Sequence, residues 1–373
     1  MFRLKVIQAL YGDCLIVEGG APDDPRYLLI DGGPSGVYQA YLKPELTAIR
    51  DKGGQIQVAV LSHVDDDHVN GLLDLLHDLI KQRRKNSQET IAIDGLWHNS
   101  FGQTLGSTAE KSLARQMDTN PFLPGSMPQV EKQARSISQG QDLAASAQGL
   151  KIPMNADFRN TPDRVVCVDN LPEPVEIANL KLMVVGPTRD SLHALQVEWE
   201  AWLEKQKQAS HFSGKEAETG ARELDKSVPN LSSIMLLVEA AGKTMLLAGD
   251  GRGDQLLEGL QKAGVLREDG SCHVNIFKLA HHGSARNVTP ELFAKITADT
   301  YVISANGKDD NPDFQTLEWL VQAADKQGRT FTIVATNETA STKALVEKYK
   351  PAKFHYAIKY IEPKAKSITI DLS

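Results

Sequence analysis

The chain has 373 residues, of which 41% are hydrophobic and 24% charged, a composition that excludes disordered and fibrous classes. A net charge of −7 gives no global basic field for nucleic acid, so any polyanion contact has to be local. Cys14, Cys167 and Cys272 lie far apart without CxxC spacing, which argues against a disulfide framework and suits a reducing compartment. The start, "MFRLKVIQALYGDC", has no apolar signal core, and no run of about 18 apolar residues occurs. The expectation is a soluble, cytoplasmic protein that does not enter a membrane.

In chain order, "FRLKVIQAL" and "CLIVEGG" read as short strands around a "YGD" turn, and "RYLLIDGG" as a third strand ending at Asp31. Residues 35–52 have helical spacing. "GGQIQVAVLSH" is an apolar strand delivering His63 at its C-terminal end, and "GLLDLLHDLIKQRRK" has leucines at helical spacing. Its basic end, residues 81–85, reads as a solvated helix C-terminus, where cations are favoured. "IAIDGLWHN" returns as a strand. Residues 100–165 turn polar, with a helix near 128–149. "VEIANLKLMVVGP" is strand-like, 190–207 helical and 208–229 loop. "SSIMLLVEAAGKTMLLAGD" is a hairpin about Ala241-Gly242, followed by a helix at "DQLLEGLQKAG" and a strand, "VNIFKLAHHGS", ending in histidines. "ELFAKITA", "YVISANG", "FQTLEWLVQAADKQG" and "TFTIVATN" continue the alternation, and "KSITIDL" closes as a strand. With no tandem repeat and no low-complexity linker, the pattern predicts one domain over 1–373 carrying a polar, partly helical insertion at about 99–175.

The chemistry concentrates in "LSHVDDDHVNG", residues 61–71. It reduces to His63-x-Asp65-x-Asp67-His68, nitrogen and oxygen donors of the kind a divalent cation needs. Asp66 does not fit the spacing and is expected to face away. The competing reading is a polar run before a helix. Two further strand ends offer donors: Asp250 after "MLLAG", and His281 and His282 after "IFKLA". Each alone is weak: a lone Asp at a strand end reads first as a turn residue or helix cap, whereas paired histidines before Gly-Ser are rarer. Together they reinforce one another, because sites in α/β layers gather at the C-terminal ends of strands. His98, in "LWHNSFG", is a candidate for the site's edge; His77, His193, His211, His273 and His355 read as surface or core.

"YGDCLIVE", "LLIDGG", "SHVDDDHVNG", "NLSSIMLLVEAAGKTMLLAGD", "LAHHGS" and "YVISANG", in that order, resemble the metallo-β-lactamase-fold hydrolases, and more closely the soluble hydrolase domain of the competence protein ComEC. The resemblance covers roughly residues 3–98 and 176–335 and leaves 99–175 unexplained. No membrane channel accompanies it, so the chain reads as a freestanding relative. The resemblance implies an α/β fold, a four-layer αβ/βα sandwich with a two-metal site at one edge. His63 and Asp65 would hold the first metal and Asp67 and His68 the second. Asp250 would bridge them, one of His281 or His282 would complete the second site, and Asp31 would orient the loop. Two departures stand out. Where many relatives carry a further histidine, this chain has Asn230 or its neighbours, and the oxygen-rich set that remains favours Mn²⁺, Mg²⁺ or Fe²⁺ over tightly held Zn²⁺. Where close relatives carry His-Pro, this chain has Asn311-Pro312, and an asparagine side chain can hold a substrate oxygen but cannot act as an acid.

The expected activity is a metal-dependent hydrolase using two divalent ions, Zn²⁺ or Mn²⁺. A metal-bridged hydroxide oriented by Asp67 would attack a phosphodiester or nucleotide, as a phosphodiesterase or nuclease does. Whichever of His281 and His282 is not a ligand is the candidate acid (His282 is counted in both roles), and Ser284 is a candidate hydrogen-bond donor. Two alternatives remain. One is hydrolysis of a small ester, thioester or lactam, which predicts an apolar pocket under residues 99–175. The other is a metal-stabilised module that binds a protein partner in a defence or toxin system.

Overall fold

The computed structural model describes residues 1–100, 128–171, 173–197, 201 and 230–373. Two sheets face each other. The first has the order β14-β1-β2-β3-β4-β5, from strands Arg3–Ile7 (β1), Leu15–Ala21 (β2), Asp24–Ile30 (β3), Ile56–Val60 (β4), Leu96–Trp97 (β5) and Ser367–Asp371 (β14). The second has the order β13-β12-β11-β10-β9-β8-β7-β6. Its strands are Val175–Ile177 (β6), Leu180–Gly186 (β7), Met235–Ala240 (β8), Lys243–Leu247 (β9), Cys272–Lys278 (β10), Ile296–Ile303 (β11), Phe331–Ala335 (β12) and Tyr356–Tyr360 (β13).

The alternation of side chains along the strands builds the layers. Leu4 and Val6, Leu15 and Val17, and Val58 and Val60 point inward from the first sheet. They meet Leu236 and Val238, Met245 and Leu247, and Ile276 in one buried cluster between the sheets. The opposite face of the first sheet, with Ile16, Leu29 and Ala59, is covered by α1 (Lys43–Asp51), α2 (Asp66–Arg84) and α3 (Pro128–Gly149). Residues 189–197 are also helical (α4). The outer face of the second sheet, with Val274 and Phe277, packs under α5 (Gly253–Lys262), α6 (Pro290–Lys295), α7 (Phe314–Lys326) and α8 (Ala340–Lys348). This is a four-layer αβ/βα sandwich. No helix among the described residues is long and apolar enough to cross a membrane.

Several elements differ from the expectation for local reasons. The 35–52 helix begins as a π-turn at Tyr38–Leu42, and its α-helical part starts only at Lys43. "IAIDGLWHN" keeps only two strand residues. "ELFAKITA" splits: Thr289 caps α6 by accepting from Leu292 N, and β11 begins at Ile296. Residues 338–360, where the pattern predicts no element, hold α8 and β13; the Thr339/Thr342 capping box starts α8. The helix expected near 128–149 is α3, and its Leu143 and Ala147 belong to the core under the first sheet, so this stretch is built into the sandwich. The helix expected over 190–207 is described to residue 197, and the 208–229 loop lies outside the described residues. The Ala241-Gly242 hairpin turn has both residues left-handed (φ 51° and 73°), as a tight two-residue turn requires.

Candidate metal centre

The signature stretch is less a loop than a helix start. After β4 the chain stays extended through Asp65, which is the N-cap of α2 (φ −82°, ψ 151°). Its carbonyl accepts from His68 N and Val69 N at 2.9 and 3.0 Å. Asp66, Asp67 and His68 therefore lie in the first helical turn, where the helix dipole favours acids. Asp66 faces α3 and accepts from Arg135 and Gln139 at 3.2 and 2.7 Å. The turn is pinned by backbone-to-backbone approach at glycines: a Cβ on Gly71 would lie 1.8 Å from Gly32 O, and one on Gly12 would lie 1.9 Å from Asp67 O. Gly32 N also donates to His68 O at 2.8 Å.

The other half of the site comes from the second sheet. Asp250 follows β9 through Gly249 (φ 50°), and His281 N donates to Gly249 O at 3.0 Å. His281 and His282 follow β10 in left-handed conformations (φ 48° and 56°), each costing on the order of 1 kcal/mol. Such backbone is kept where tertiary contacts over-determine it. Asn287 supplies some of these: its Nδ2 donates to Asp250 O at 2.9 Å, and its Oδ1 lies 2.7 Å from His281 Nδ1.

These residues converge on the Asp250 carboxylate, one set per oxygen. His63 Nε2 and His281 Nε2 lie 3.5 and 3.6 Å from Oδ2, with Asp65 Oδ2 3.9 Å from His63 Nε2. His68 Nε2 and His282 Nε2 lie 3.3 and 3.8 Å from Oδ1, and Asp67 Oδ2 is 3.1 Å from His282 Nε2. Two donors on one cation, each about 2.1 Å from it, sit roughly 3–3.5 Å apart; three of these six spacings, 3.5, 3.3 and 3.1 Å, fall in that range, and the other three, 3.6, 3.8 and 3.9 Å, lie just beyond it. Among the described residues, His63 Nε2, His68 Nε2 and Asp250 Oδ1 are buried without a hydrogen-bond partner, a costly condition unless a cation takes their lone pairs. The residue types and burial fit a divalent metal, and the His63–His68–Asp250 and Asp67–His68–His282 groups are each close enough to hold one.

Charge tells the same story. Burial would raise the Asp250 and Asp67 carboxyls, yet the surrounding histidines outweigh it and hold both below the usual carboxylate range. Burial would lower His282, but Asp250 and then Asp13 push it up to about 10; His68 is raised in the same way by Asp250 and Asp31. The carboxylates draw positive charge into the cluster.

Asp31 and Asp13 stand behind the imidazoles. Asp31 accepts from Ser62 N, Ser62 Oγ and His68 Nδ1 at 2.7, 2.7 and 2.8 Å, leaving His68 Nε2 to face Asp250. Sequence reading treats Asp13 as a turn residue and passes over Lys278. The structure buries both, with Lys278 Nζ 2.6 Å from Asp13 Oδ2. Burial would raise the Asp13 carboxyl; Lys278 and His282 overcome this and bring it to about 2. The available signal was a lone lysine inside an apolar strand, "NIFKLA", since buried lysines are almost always paired.

Other candidates sit apart. Ser284 is buried; its hydroxyl accepts from Arg286 N at 3.4 Å, and its backbone N donates to His281 O at 2.9 Å, which ties it to the cluster through the main chain. The Asn230 side chain and His211 lie outside the described residues. Asn311 is buried, ahead of a cis proline. His98 is buried at the end of β5, with neither ring nitrogen hydrogen-bonded among the described residues, and burial lowers it to about 4. His77 pairs with Asp142 and His273 with Asp299 at the surface. Arg83, from the basic helix end, is used structurally, donating to Leu150 O and Glu89.

The family model of the metallo-beta-lactamase superfamily matches residues 8–139, about a third of the chain. That span holds Asp13, Asp31 and the signature stretch, and with the layer order it identifies the fold as a metallo-β-lactamase fold. A comparison with curated proteins finds no match. Among solved structures, the chain aligns with the Acinetobacter baumannii Cap4 SAVED/CARF-domain receptor bound to the cyclic trinucleotide 2'3'3'-cAAA. The identity is 9% and the TM-score 0.14, over 97% of this chain and 64% of that one. The same receptor with 3'3'3'-cAAA gives 9% and 0.15, over 100% and 65%. The chain thus spans less than two thirds of the receptor's length, and at such scores the likeness carries no argument.

Proposed function

We propose that this protein is a binuclear metal-dependent phosphodiesterase or nuclease. The observation carrying the reading is the Asp250 carboxylate, which presents one oxygen to His63 and His281 and the other to His68 and His282. His63, Asp65, His281 and Asp250 would hold the first cation, and Asp67, His68, His282 and Asp250 the second. Five carboxylates crowd this region, Asp13, Asp31, Asp65, Asp67 and Asp250. Two divalent cations and the Lys278 ammonium would balance them, which supports a pair of cations rather than one. With both His281 and His282 among the donors, each site would offer two imidazole nitrogens and two carboxylates, a set that suits Zn²⁺ or Mn²⁺.

When bound, the cations supply Lewis acidity: they lower the pKa of water and neutralise charge on a phosphoryl oxygen. The protein does the rest. Asp31 and Ser304 O engage the Nδ1 atoms of His68 and His282, so both rings present Nε2 to the centre. Asp67 is the most open of the central carboxylates, its side chain 23% exposed against 11% for Asp65 and 3% for Asp250. This openness supports a role for Asp67 in orienting the attacking water. His281, 31% exposed, marks the same mouth. The motif-level resemblance to the ComEC hydrolase domain adds to this reading.

A second reading, hydrolysis of an ester or thioester, is favoured by one feature. A cavity of about 600 Å³ lies against α3, lined by Val64, Gly140, Ala144, Ile152, Met154 and Arg164. It begins at Val64, between His63 and Asp65, and its size and apolar wall suit an acyl group. One panel separates the two readings. Mn²⁺-loaded protein is tested on plasmid, single-stranded DNA, RNA and cyclic dinucleotides, and in parallel on p-nitrophenyl esters of rising chain length. Phosphodiester cleavage is expected. Turnover of the esters alone would replace the first reading with the second, and silence on all with both cations bound would remove both.

A further inference from the structure

The second donor pair is assembled across the two sheets. Asp67 rides on α2, over the first sheet, while His282 follows β10 of the second. Between them lies the Gly12-Asp13 turn. Asp13 N donates to Asp67 O at 3.2 Å, and Gly12 packs so tightly on that same oxygen that no Cβ fits. On the other side, Ser304 Oγ donates to Gly12 O at 2.5 Å, and Ser304 O pairs with His282 Nδ1 at 2.9 Å. Asp13 Oδ1 lies 3.3 Å from the same Nδ1. Lys278, four residues before His282, reaches back from β10 to Asp13 Oδ2 at 2.6 Å and also donates to Leu279 O at 2.8 Å. Both partners of this ion pair are at most 2% exposed.

We propose that the buried Asp13–Lys278 pair is a cross-sheet strut that positions Asp67 against His282 and so sets the affinity of the second cation site alone. Lys278 is a positioning residue: it holds the turn that holds both donors. A buried ion pair contributes little net stability compared with an apolar pair of the same shape, whereas removing one partner strands the other charge. That asymmetry points to a role in geometry. The first donor set, His63, Asp65, His281 and Asp250, is predicted to be little affected by the pair, because His63 Nε2 and His281 Nε2 face the other oxygen of Asp250.

The inference rests on the reading of His282 as a donor to the second cation, and the test separates the two. Lys278→Met alone strands a buried carboxylate and is expected to impair folding, so the informative variant is Asp13→Asn/Lys278→Met, which removes both charges. Titration with Mn²⁺ should show the first cation bound as in the wild type and the second weakened by about 10–100-fold. In the metal-free protein, imidazole ¹⁵N and ¹³C signals of His282 should shift or double while those of His63 stay in place. A double variant with unchanged affinity for both cations and an unchanged His282 spectrum would overturn the strut. If the wild type itself binds no second cation, the metal reading fails, and the His282 spectrum still decides whether the pair positions that ring.

Discussion

The two halves of the sandwich contribute to the centre in different ways. The first sheet delivers His63, Asp65, Asp67 and His68 from one six-residue stretch, and the geometry is that of an extended strand end running into a helix N-terminus. The second sheet delivers Asp250, His281 and His282 from two separate strand ends, with the two histidines in left-handed backbone held by Asn287 and Gly249. Local sequence brings the first set together, and contacts from Gly12, Gly32 and Asp31 finish its arrangement. The second exists only because β9 and β10 are parallel neighbours whose ends lie side by side.

The most severe way to break the comparison is at its shared point. Asp250→Ala should remove the carboxylate common to both sets. Metal analysis is expected to find less than one tightly bound cation per chain, with hydrolysis down by at least roughly 100-fold. Retention of two cations would show that the halves bind independently.

A smaller effect sharpens the division. His63→Ala and His281→Ala are expected to lose the same cation, and His68→Ala and His282→Ala the other, because each pair faces one oxygen of Asp250. Calorimetric stoichiometry near one in each variant checks this. If His281→Ala keeps both cations and slows only substrates with poor leaving groups, His281 is the proton donor and not a ligand.

The smallest effect tests the edge of the first half. His98, lowered to about 4 by burial, stays neutral in the folded chain, while the unfolded chain binds its proton below about 6.5. The unfolded state thus binds more protons between these values, and stability falls as pH drops from about 6.5 toward 4, by up to about 3 kcal/mol. His98→Leu should flatten the pH dependence of urea unfolding across that window, measured on metal-free protein against the wild type, while leaving both cations bound. An unchanged slope would mean that the ring is protonated in the fold.

Much of the first half is legible because it is periodic. Apolar alternation marks β1 to β4 and leucines at helical spacing mark α2, so residue pattern alone places His63 at a strand end. The same pattern puts the start of α2 at Gly71 rather than Asp66, because Asp66, Asp67 and His68 interrupt the apolar spacing, although acids belong in a first turn. Residues 338–360 escape the pattern for a related reason: α8 is short and β13 lies at a sheet edge, so neither has a strong apolar repeat.

By itself, the sequence determined which donors exist and that they sit at strand ends or a helix start, since periodicity and residue type are local properties. It also carried the signature stretch by which the fold could be recognised. Only the tertiary structure decided that both histidines of "HHGS" reach Asp250, on different oxygens, and that a turn aspartate and a lysine from an apolar strand meet beneath the second set. Those facts depend on how two sheets face each other, and contacts between residues as distant as Asp13 and Lys278 have no periodic trace in the chain.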